Sequence, residues 1–281
     1  MYSAIKYIYD LTKENFIMKK CFIIVFVIFS SLYSCNHDKS KSSNMMKELN
    51  EKSVNNPNIF VVKTLLFSKD KLPISADLYE VNGLKPTILL CHQAGYSRGE
   101  YKDTAIKLNY LGYSCLAIDQ RSGNEINDIK NETAIRAKDK GLPTDYLDAK
   151  QDIEAAIDYL YSENGNQPIV LVGSSYSASL VLIIGKNNPK VKMVAAFSPG
   201  EYLKGVNVTK TIKNYDKPLF VTSSKNEVIK VVDLLKEVNT DNLTHFKPSF
   251  KGIHGSRALW ESTDGNDQYW KVFQSFLNDY K

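Results

Sequence analysis

The segment GSSYS, residues 173–177, combines residue types and a spacing that can make a serine hydroxyl reactive. A short apolar run precedes it and a mainly apolar stretch follows it, which predicts a strand, a sharp turn and a buried helix. In a turn this tight, only small residues fit two positions before and two positions after the nucleophile. Gly173 and Ser177 hold those positions, so the spacing selects Ser175 as the candidate nucleophile. The alternative is a serine-rich turn that only joins a strand to a helix.

A serine nucleophile needs a base that takes its proton, and histidine often has this role. The chain contains four histidines. His254 lies in a glycine-flanked loop after the last predicted strand and before the final predicted helix. His37 lies in a polar N-terminal segment, His92 precedes the nucleophile, and His245 stands at the amino side of the last predicted strand. His254 is therefore the candidate base, and the alternative for it is an exposed loop side chain.

An acid that orients the imidazole is expected between the nucleophile and the histidine in the sequence. Glu227 follows a predicted strand through a short polar loop, which is the appropriate place for such an acid. Glu201, after the preceding predicted strand, is the rival candidate. For either glutamate, the alternative is a surface carboxylate.

The elements that must position these side chains alternate along the chain from residue 59. The predicted strands span residues 59–67, 72–79, 87–91, 114–118, 169–172, 191–197, 219–222 and 246–250, and the predicted helices span residues 101–111, 146–161, 176–185, 228–238 and 267–280. An opening hairpin followed by this alternation predicts an α/β fold with a mostly parallel sheet covered by helices on both faces. Ligands bind beyond the carboxyl ends of such strands, where Ser175, Glu227 and His254 all lie.

The order of strands and loops, the turn at Ser175 and the positions of Glu227 and His254 together resemble the α/β-hydrolase superfamily. Among its members, the chain is most similar to the dienelactone-hydrolase-like proteins and the serine esterases, over residues 59–281. The resemblance implies an eight-stranded sheet and a catalytic triad of serine, histidine and glutamate. It implies no metal and no organic cofactor.

The resemblance also implies an oxyanion hole made of two backbone N–H groups. One belongs to Tyr176, directly after the candidate nucleophile. The other is assigned to Ala94, in the loop HQAG at residues 92–95. In this loop, Gln93 stands where the superfamily usually has glycine.

The surroundings of the site are expected to be open. Residues 198–218 are too few to form the helical cap that many superfamily members insert there, so a minimal cap or none is expected. The stretch 120–145 is the other long connection and is a candidate wall. Arg98 and Arg121 lie on loops at the same edge and are weak candidates for binding an anionic substrate group. The alternative is that they pair with loop carboxylates.

The N-terminal segment has the layout of an export signal. A short positive region that begins at Met18 precedes an apolar run, residues 21–29, which is too short to span a membrane as a helix. The following LYSC, residues 32–35, resembles the lipobox of bacterial lipoproteins, in which the cysteine is lipidated. Cys35 is therefore the candidate lipidation site. The alternative is an ordinary signal anchor with an incidental cysteine.

These features give three segments. A polar stretch rich in Lys, Ser and Asn follows the candidate lipidation site and is typical of a flexible tether. The predicted organisation is a signal peptide at residues 1–34, of which 1–17 precede an internal start, a lipidated tether at 35–56, and an α/β-hydrolase domain at 57–281.

Composition limits the class of partner. The net charge is +5, but the basic residues are spread along the chain, whereas a nucleic-acid binder concentrates them on one face or segment. Cys91 and Cys115 each lie in an apolar run, which favours buried free thiols, with a disulfide as the alternative. No cysteine or histidine pair has metal-ligand spacing.

The expected protein is thus a serine hydrolase of the carboxylesterase or deacylase type, anchored by lipid to a membrane of the bacterial cell envelope. Its expected substrate is an ester or related acyl compound, either a small molecule or linked to a glycan. The alternatives are a peptidase or acyltransferase with the same triad, and a non-catalytic envelope binding protein of the same fold. Neither a nucleic-acid partner nor a protein partner is predicted.

Overall fold

Strands and helices alternate through the part of the chain that the computed structural model describes, residues 60–81 and 87–279. The strands are β1 (Phe60–Phe67), β2 (Pro73–Glu80), β3 (Thr87–Cys91), β4 (Ser114–Ile118), β5 (Glu125–Ile126), β6 (Ile129–Lys130), β7 (Ile169–Ser174), β8 (Val191–Phe197), β9 (Leu219–Thr222) and β10 (Leu243–Phe246). The helices are α1 (Lys102–Tyr110), α2 (Glu132–Asp139), α3 (Lys150–Glu163), α4 (Tyr176–Lys186), α5 (Val208–Thr211), α6 (Val228–Leu234) and α7 (Asn266–Asn278). None of these described helices has the length and apolar composition to cross a membrane. The predicted signal peptide and tether lie outside the described residues.

Eight of the strands form one sheet, in the order β1-β2-β4-β3-β7-β8-β9-β10. β2 pairs in antiparallel register with both β1 and β4. All the other pairings in this eight-stranded sheet are parallel. Parallel neighbours cannot be joined by a tight hairpin, so helices connect them across the faces of the sheet. The predicted α/β fold, with a mostly parallel eight-stranded sheet and helices on both faces, is confirmed.

The central strands are buried because helices cover the sheet from both sides. Along β7, Leu171 belongs to one hydrophobic cluster together with α3 and α4, whereas Val170 and Val172 belong to a second cluster together with α1 and α7. Successive side chains of a strand point to opposite faces, so one continuous apolar run fills both clusters. The carboxyl ends of these strands meet at one edge of the sheet, and their loops carry the candidate site.

The last strand differs from its predicted position. β10 ends at residue 246, whereas the sequence predicted a strand over residues 246–250. Pro248 lies in the predicted segment and has no N–H to donate to a neighbouring strand, which explains why pairing stops before it. His245 therefore lies inside β10 and not at its amino side.

The stretch between β4 and α3 forms elements that the sequence does not predict, namely the two-stranded hairpin of β5 and β6, followed by α2. Asn131 begins α2, because its side-chain oxygen accepts the Ala134 N–H at 2.8 Å. The amide nitrogen of the same side chain donates to the carbonyl oxygens of Gln120 at 2.9 Å and Tyr96 at 3.1 Å. One asparagine therefore ties the start of the helix to the loops after β3 and β4.

The two internal cysteines are buried free thiols. Burial raises the pKa of both Cys91 and Cys115, which keeps them protonated and unreactive. The prediction of two buried free thiols is confirmed. The alternative, a disulfide between them, is excluded.

Arg121 is completely buried and is surrounded by carboxylates. Its guanidinium group lies 2.7 Å from an oxygen of Asp152, which is also completely buried, and 2.7 Å from an oxygen of Asp70. Its backbone N–H donates to Asp152 as well, at 2.9 Å. The cluster of Arg121, Asp152 and Asp70 therefore joins three parts of the chain: the loop after β4, the start of α3 and the turn between β1 and β2.

Arg98 has a similar environment. Its side chain is 5% exposed and lies 3.1 Å from Asp77 and 2.7 Å from Asp119. The expectation that Arg98 and Arg121 bind an anionic substrate group is therefore wrong. Both guanidinium groups are buried and already paired with carboxylates, so neither is available to a ligand.

We expect Arg121→Leu to lower the free energy of unfolding by about 3–5 kcal/mol, because it leaves the buried carboxylate of Asp152 without its counter-charge. Urea denaturation of the variant and the wild type measures this difference. The matched control is Lys190→Ala, which removes an exposed pair with Asp158 and should cost less than about 1 kcal/mol. Equal effects of the two changes would contradict the structural role of the buried pair.

Candidate active site

The turn between β7 and α4 holds Ser175 in a backbone conformation that few residues adopt. Its φ of 59° and ψ of −120° lie outside the regions favoured by L-residues, and its N–H donates to the Phe197 carbonyl oxygen at 2.8 Å. Such strain persists only where neighbouring contacts enforce it. A Cβ atom at Gly173 would lie 2.5 Å from the Ser177 carbonyl oxygen and 2.7 Å from Val181 Cγ2, so only glycine fits there. The turn has the close packing that its small residues predicted.

Ser177 holds the second small-residue position of this turn, two residues after Ser175, and also makes hydrogen bonds there. Its Oγ lies 2.9 Å from the carbonyl oxygen of Cys91 and 2.5 Å from that of His92, at the end of β3. A hydroxyl can donate to these acceptors, which a glycine cannot do. The turn that carries Ser175 is thereby connected directly to the loop after β3.

His254 connects Ser175 to Glu227. Its Nε2 lies 2.8 Å from Ser175 Oγ, and its Nδ1 lies 2.5 Å from Glu227 Oε1. When the Nδ1 proton is donated to the carboxylate, Nε2 is free to accept the proton of the serine hydroxyl. Ser175 is 8% exposed and the imidazole is 33% exposed, so solvent reaches the group. The structure brings together the three residues selected from the sequence, each from a different loop.

Glu227 is held by hydrogen bonds on both of its oxygens. Oε2 accepts the Ser224 N–H at 3.1 Å, the Ser224 hydroxyl at 2.7 Å and the Ser198 hydroxyl at 3.0 Å. Burial raises the pKa of this carboxyl, but the hydrogen bonds from His254 and Ser224 outweigh burial and lower the pKa to about 2. Glu227 is therefore ionised at neutral pH. Neither serine is recognisable as a partner of the acid from the sequence, where its only signal is its position just after a predicted strand.

The rival acid, Glu201, has a different role. Its carboxylate accepts the N–H of Val208 at 2.7 Å and the N–H of Thr209 at 2.9 Å, at the first turn of α5. It also accepts the Thr209 hydroxyl at 2.9 Å. Glu201 thus satisfies backbone donors at a helix start, and the carboxylate in contact with His254 is that of Glu227.

His92 fixes the loop in which Ala94 lies. The Gln120 N–H donates to His92 Nε2 at 3.0 Å, so the ring proton is on Nδ1, which donates to the Gln93 carbonyl oxygen at 2.8 Å. Burial lowers the pKa of His92 to about 4, and the ring is neutral at physiological pH. The described residues contain no cis peptide bond, and the N–H of a trans peptide points away from its carbonyl oxygen. The Ala94 N–H is therefore turned away from His92.

Tyr202 lines two open depressions, of which one reaches the triad at Glu227. One is lined by Tyr202 together with Glu227, and the other by Tyr202 together with Ser122 and Tyr146. The connection 198–218 contains only the four-residue helix α5 and forms no helical cap. In the described part of the chain, no group of three or more His, Cys, Asp or Glu side chains is arranged to hold a metal ion.

The sheet, the strained serine turn and the loops that follow the strands define an α/β-hydrolase. Residues 83–272 match the family model described as serine aminopeptidase S33, a hydrolase family, and this match covers more than half of the chain. The chain therefore belongs to this family and is a hydrolase. No curated protein matches its sequence significantly. The resemblance to the α/β-hydrolase superfamily is confirmed.

Solved structures show the same fold at low sequence identity. An esterase from Pyrococcus furiosus is 18% identical, with 79% of this chain and 93% of that chain covered and a TM-score of 0.57. A dienelactone hydrolase from Anabaena variabilis is 16% identical, with 80% and 98% covered and a TM-score of 0.60. An acylaminoacyl peptidase from Pyrococcus horikoshii is 16% identical, with 82% of this chain but only 43% of that chain covered and a TM-score of 0.55. At such identities the likeness establishes the fold alone.

We expect Glu227→Gln to slow labelling by a fluorophosphonate probe by about 10⁴-fold, because an amide does not hold the imidazole in the required tautomer. The labelling rate of the purified domain measures the effect. Glu201→Gln is the matched control and should label near the wild-type rate, since Glu201 contacts α5 and not His254. Loss of labelling in the Glu201 variant alone would show that the acid is misassigned.

Proposed function

We propose that the protein is a serine esterase or deacylase that cleaves an ester or related acyl bond through an acyl-enzyme on Ser175. One observation carries this proposal, the contact of Ser175 Oγ with His254 Nε2 at 2.8 Å while His254 Nδ1 contacts Glu227 at 2.5 Å. A nucleophile, a base and an orienting carboxylate in this order are what nucleophilic catalysis requires. The esterase and dienelactone hydrolase of similar fold support ester chemistry as the reaction type.

The proposed reaction has two halves. Ser175 Oγ attacks the acyl carbon while His254 Nε2 takes the hydroxyl proton, and a tetrahedral oxyanion forms. The oxyanion collapses, the bond to the leaving alcohol breaks, and His254 returns the proton to the alcohol oxygen. Water then attacks the acyl-enzyme with His254 again as base, which releases the carboxylic acid and restores the serine. Ionised Glu227 stabilises the imidazolium in both halves.

The oxyanion is proposed to bind the N–H groups of Ala94 and Tyr176. Tyr176 is the first residue of α4, where a backbone N–H has no partner inside the helix. The hydrogen bond from His92 Nδ1 holds the Gln93 carbonyl oxygen toward the His92 ring, and the N–H of Ala94, in the same peptide, therefore points away from it. Donors whose orientation is set before the reaction stabilise developing charge without reorganisation. This geometry supports both assignments.

Peptide hydrolysis is a second candidate, favoured by the description of the family as serine aminopeptidases. The same triad can hydrolyse esters and peptides, so only the identity of the substrate distinguishes the two functions. The acylaminoacyl peptidase of similar fold is a much longer protein, of which this chain covers 43%. For this reason an ester of a small molecule or of a glycan is the preferred substrate class. Turnover of acetyl and butyryl nitrophenyl esters, set against aminoacyl nitroanilides, discriminates between the two.

We expect Ser175→Ala to abolish covalent labelling by a fluorophosphonate and to lower ester turnover by about 10⁶-fold, as loss of a catalytic serine does elsewhere. Labelling followed by mass spectrometry, together with turnover, measures this. Ser179→Ala is the control, since this serine lies in α4, the helix that follows Ser175, and donates to the Gly200 carbonyl oxygen, away from His254. An unlabelled wild type would instead favour a non-catalytic binding protein.

The location of the enzyme is also proposed. The signal-like segment and the lipobox-like residues 32–35 support lipidation at Cys35 and attachment to a membrane of the bacterial cell envelope. These residues lie outside the described part of the chain, so the support comes from the sequence. A polar tether after Cys35 would let the domain reach substrates near the membrane surface.

We expect a clickable fatty-acid analogue to label the wild type in a bacterial host and not the Cys35→Ala variant, because the thiol is the only lipid attachment point proposed. In-gel fluorescence measures the label. Cys21→Ala is the control, since this cysteine lies within the apolar run and should leave labelling intact. A mature chain that begins elsewhere than at Cys35 would contradict the lipoprotein proposal.

A further inference from the structure

Glu100 is a buried carboxylate that the proposed catalytic steps do not use. It lies in the short 3-10 helix Arg98–Tyr101, just before α1, and is 1% exposed. An ionised carboxylate in a protein interior is costly unless hydrogen bonds or a salt bridge compensate its charge. None of the salt bridges among the described residues includes Glu100, so its charge is compensated by hydrogen bonds and by the more distant charge of Arg257.

Three polar partners from three different segments of the chain meet this carboxylate. Oε2 accepts the Gln93 N–H at 2.6 Å, and Oε1 accepts the Ser256 hydroxyl at 2.6 Å. The third partner is the hydroxyl of Ser174, which itself accepts the Ser256 N–H at 2.8 Å. The indole N–H of Trp260 donates to the backbone carbonyl oxygen of Glu100 at 2.9 Å and fixes the main chain there.

Each partner of the carboxylate is a near neighbour of a group that the proposed reaction needs. The pairs are Gln93 and Ala94, Ser174 and Ser175, and Ser256 and His254. The three loops also touch at Gly255, where a Cβ atom would lie 2.4 Å from Gln93 Oε1 and 2.6 Å from Ser174 Oγ. With no space between them, a shift of one loop displaces the others.

The chemistry of the group suits this connection. Burial raises the pKa of Glu100, and the hydrogen bonds from Ser256, Gln93 and Ser174, together with the charge of Arg257, offset only part of this increase. A carboxylate accepts several hydrogen bonds at once through its two oxygens, and those to an ionised acceptor are stronger than neutral ones. A glutamine at the same place would keep the volume but would replace one acceptor with an NH₂ group that only donates.

We propose that Glu100 is a positioning residue, whose buried carboxylate joins the oxyanion loop, the nucleophile turn and the histidine loop and so sets the spacing of Ala94, Ser175 and His254. The proposal rests on the proposed hydrolase function, because it concerns the placement of the same three groups. Glu100 does not itself contact Ser175 or His254 in any hydrogen bond of the described residues, and it acts through its neighbours.

The test compares Glu100→Gln and Ser256→Ala with the wild type, both as full-length protein. We expect Glu100→Gln to lower kcat and the fluorophosphonate labelling rate by about 10- to 100-fold, the usual result of small misplacements, with KM near the wild-type value. Amide hydrogen exchange should become faster in the segments 92–96 and 252–257 together. Ser256→Ala removes one link only, so it should speed exchange in 252–257 and leave 92–96 unchanged.

Asp152→Asn is the matched control, since it also neutralises a completely buried carboxylate but one that pairs with Arg121. Below its melting temperature it should keep the wild-type kcat and the wild-type exchange in both segments. Unchanged exchange in Glu100→Gln, or faster exchange with an unchanged labelling rate, would overturn the positioning role while the hydrolase function stands. A wild type that no fluorophosphonate labels would overturn the proposed function and the positioning role with it.

Discussion

Close packing at the carboxyl edge of the sheet is the constraint on which the site depends. The backbone of Ser175 has a positive φ, and the space beside Gly173 admits no side chain. Gly255, in the histidine loop, has a φ of 76° and equally little space around it. Two glycines therefore let three chain segments approach so closely that the serine and imidazole meet at hydrogen-bonding distance. A larger residue at either glycine would push the loops apart. The serine and the imidazole would then be too far apart to form a hydrogen bond, although neither side chain was altered.

The carboxylates of the molecule divide into two kinds by their partners. Asp152 is neutralised by a buried arginine, and this pair connects distant parts of the chain. Glu227 and Glu100 are compensated mainly by serine hydroxyls, backbone N–H groups and, for Glu227, the imidazole. A guanidinium beside Glu227 would compete with His254 for its charge, whereas neutral donors leave the carboxylate free to stabilise an imidazolium. Neutral donors thus hold the carboxylates nearest the site, and salt bridges hold the surrounding framework.

The sequence predicts features that depend on local sterics and on the order of elements along the chain. It does not predict the role of a side chain whose partners are distant in the sequence. The sequence identifies Ser175 because the small residues two positions before and after it are those that the tight turn requires. Its pairing with His254 followed from the order of strands and loops. The partners of Arg121 are 31 and 51 residues away along the chain, and nothing local distinguishes a paired arginine from one that binds a ligand. Glu100 was missed for the same reason, since its three partners come together only in the folded chain.

Environment separates the roles of two histidines that lie at the same edge of the sheet. His254 is one-third exposed and faces a hydroxyl and a carboxylate, so it can exchange a proton. His92 is fully buried, its Nε2 accepts a backbone N–H, and burial lowers its pKa from 6.5 to about 4. An unfolded chain binds a proton at His92 as the pH falls through 6.5, whereas the native state does so only near pH 4, so acid costs the native state stability over this interval. Above this interval, the neutral ring of His92 keeps the Gln93–Ala94 peptide in one orientation through its hydrogen bond to the Gln93 carbonyl oxygen. His92 supports the site because its ring stays neutral at physiological pH, whereas His254 serves the reaction because its Nε2 faces the serine hydroxyl.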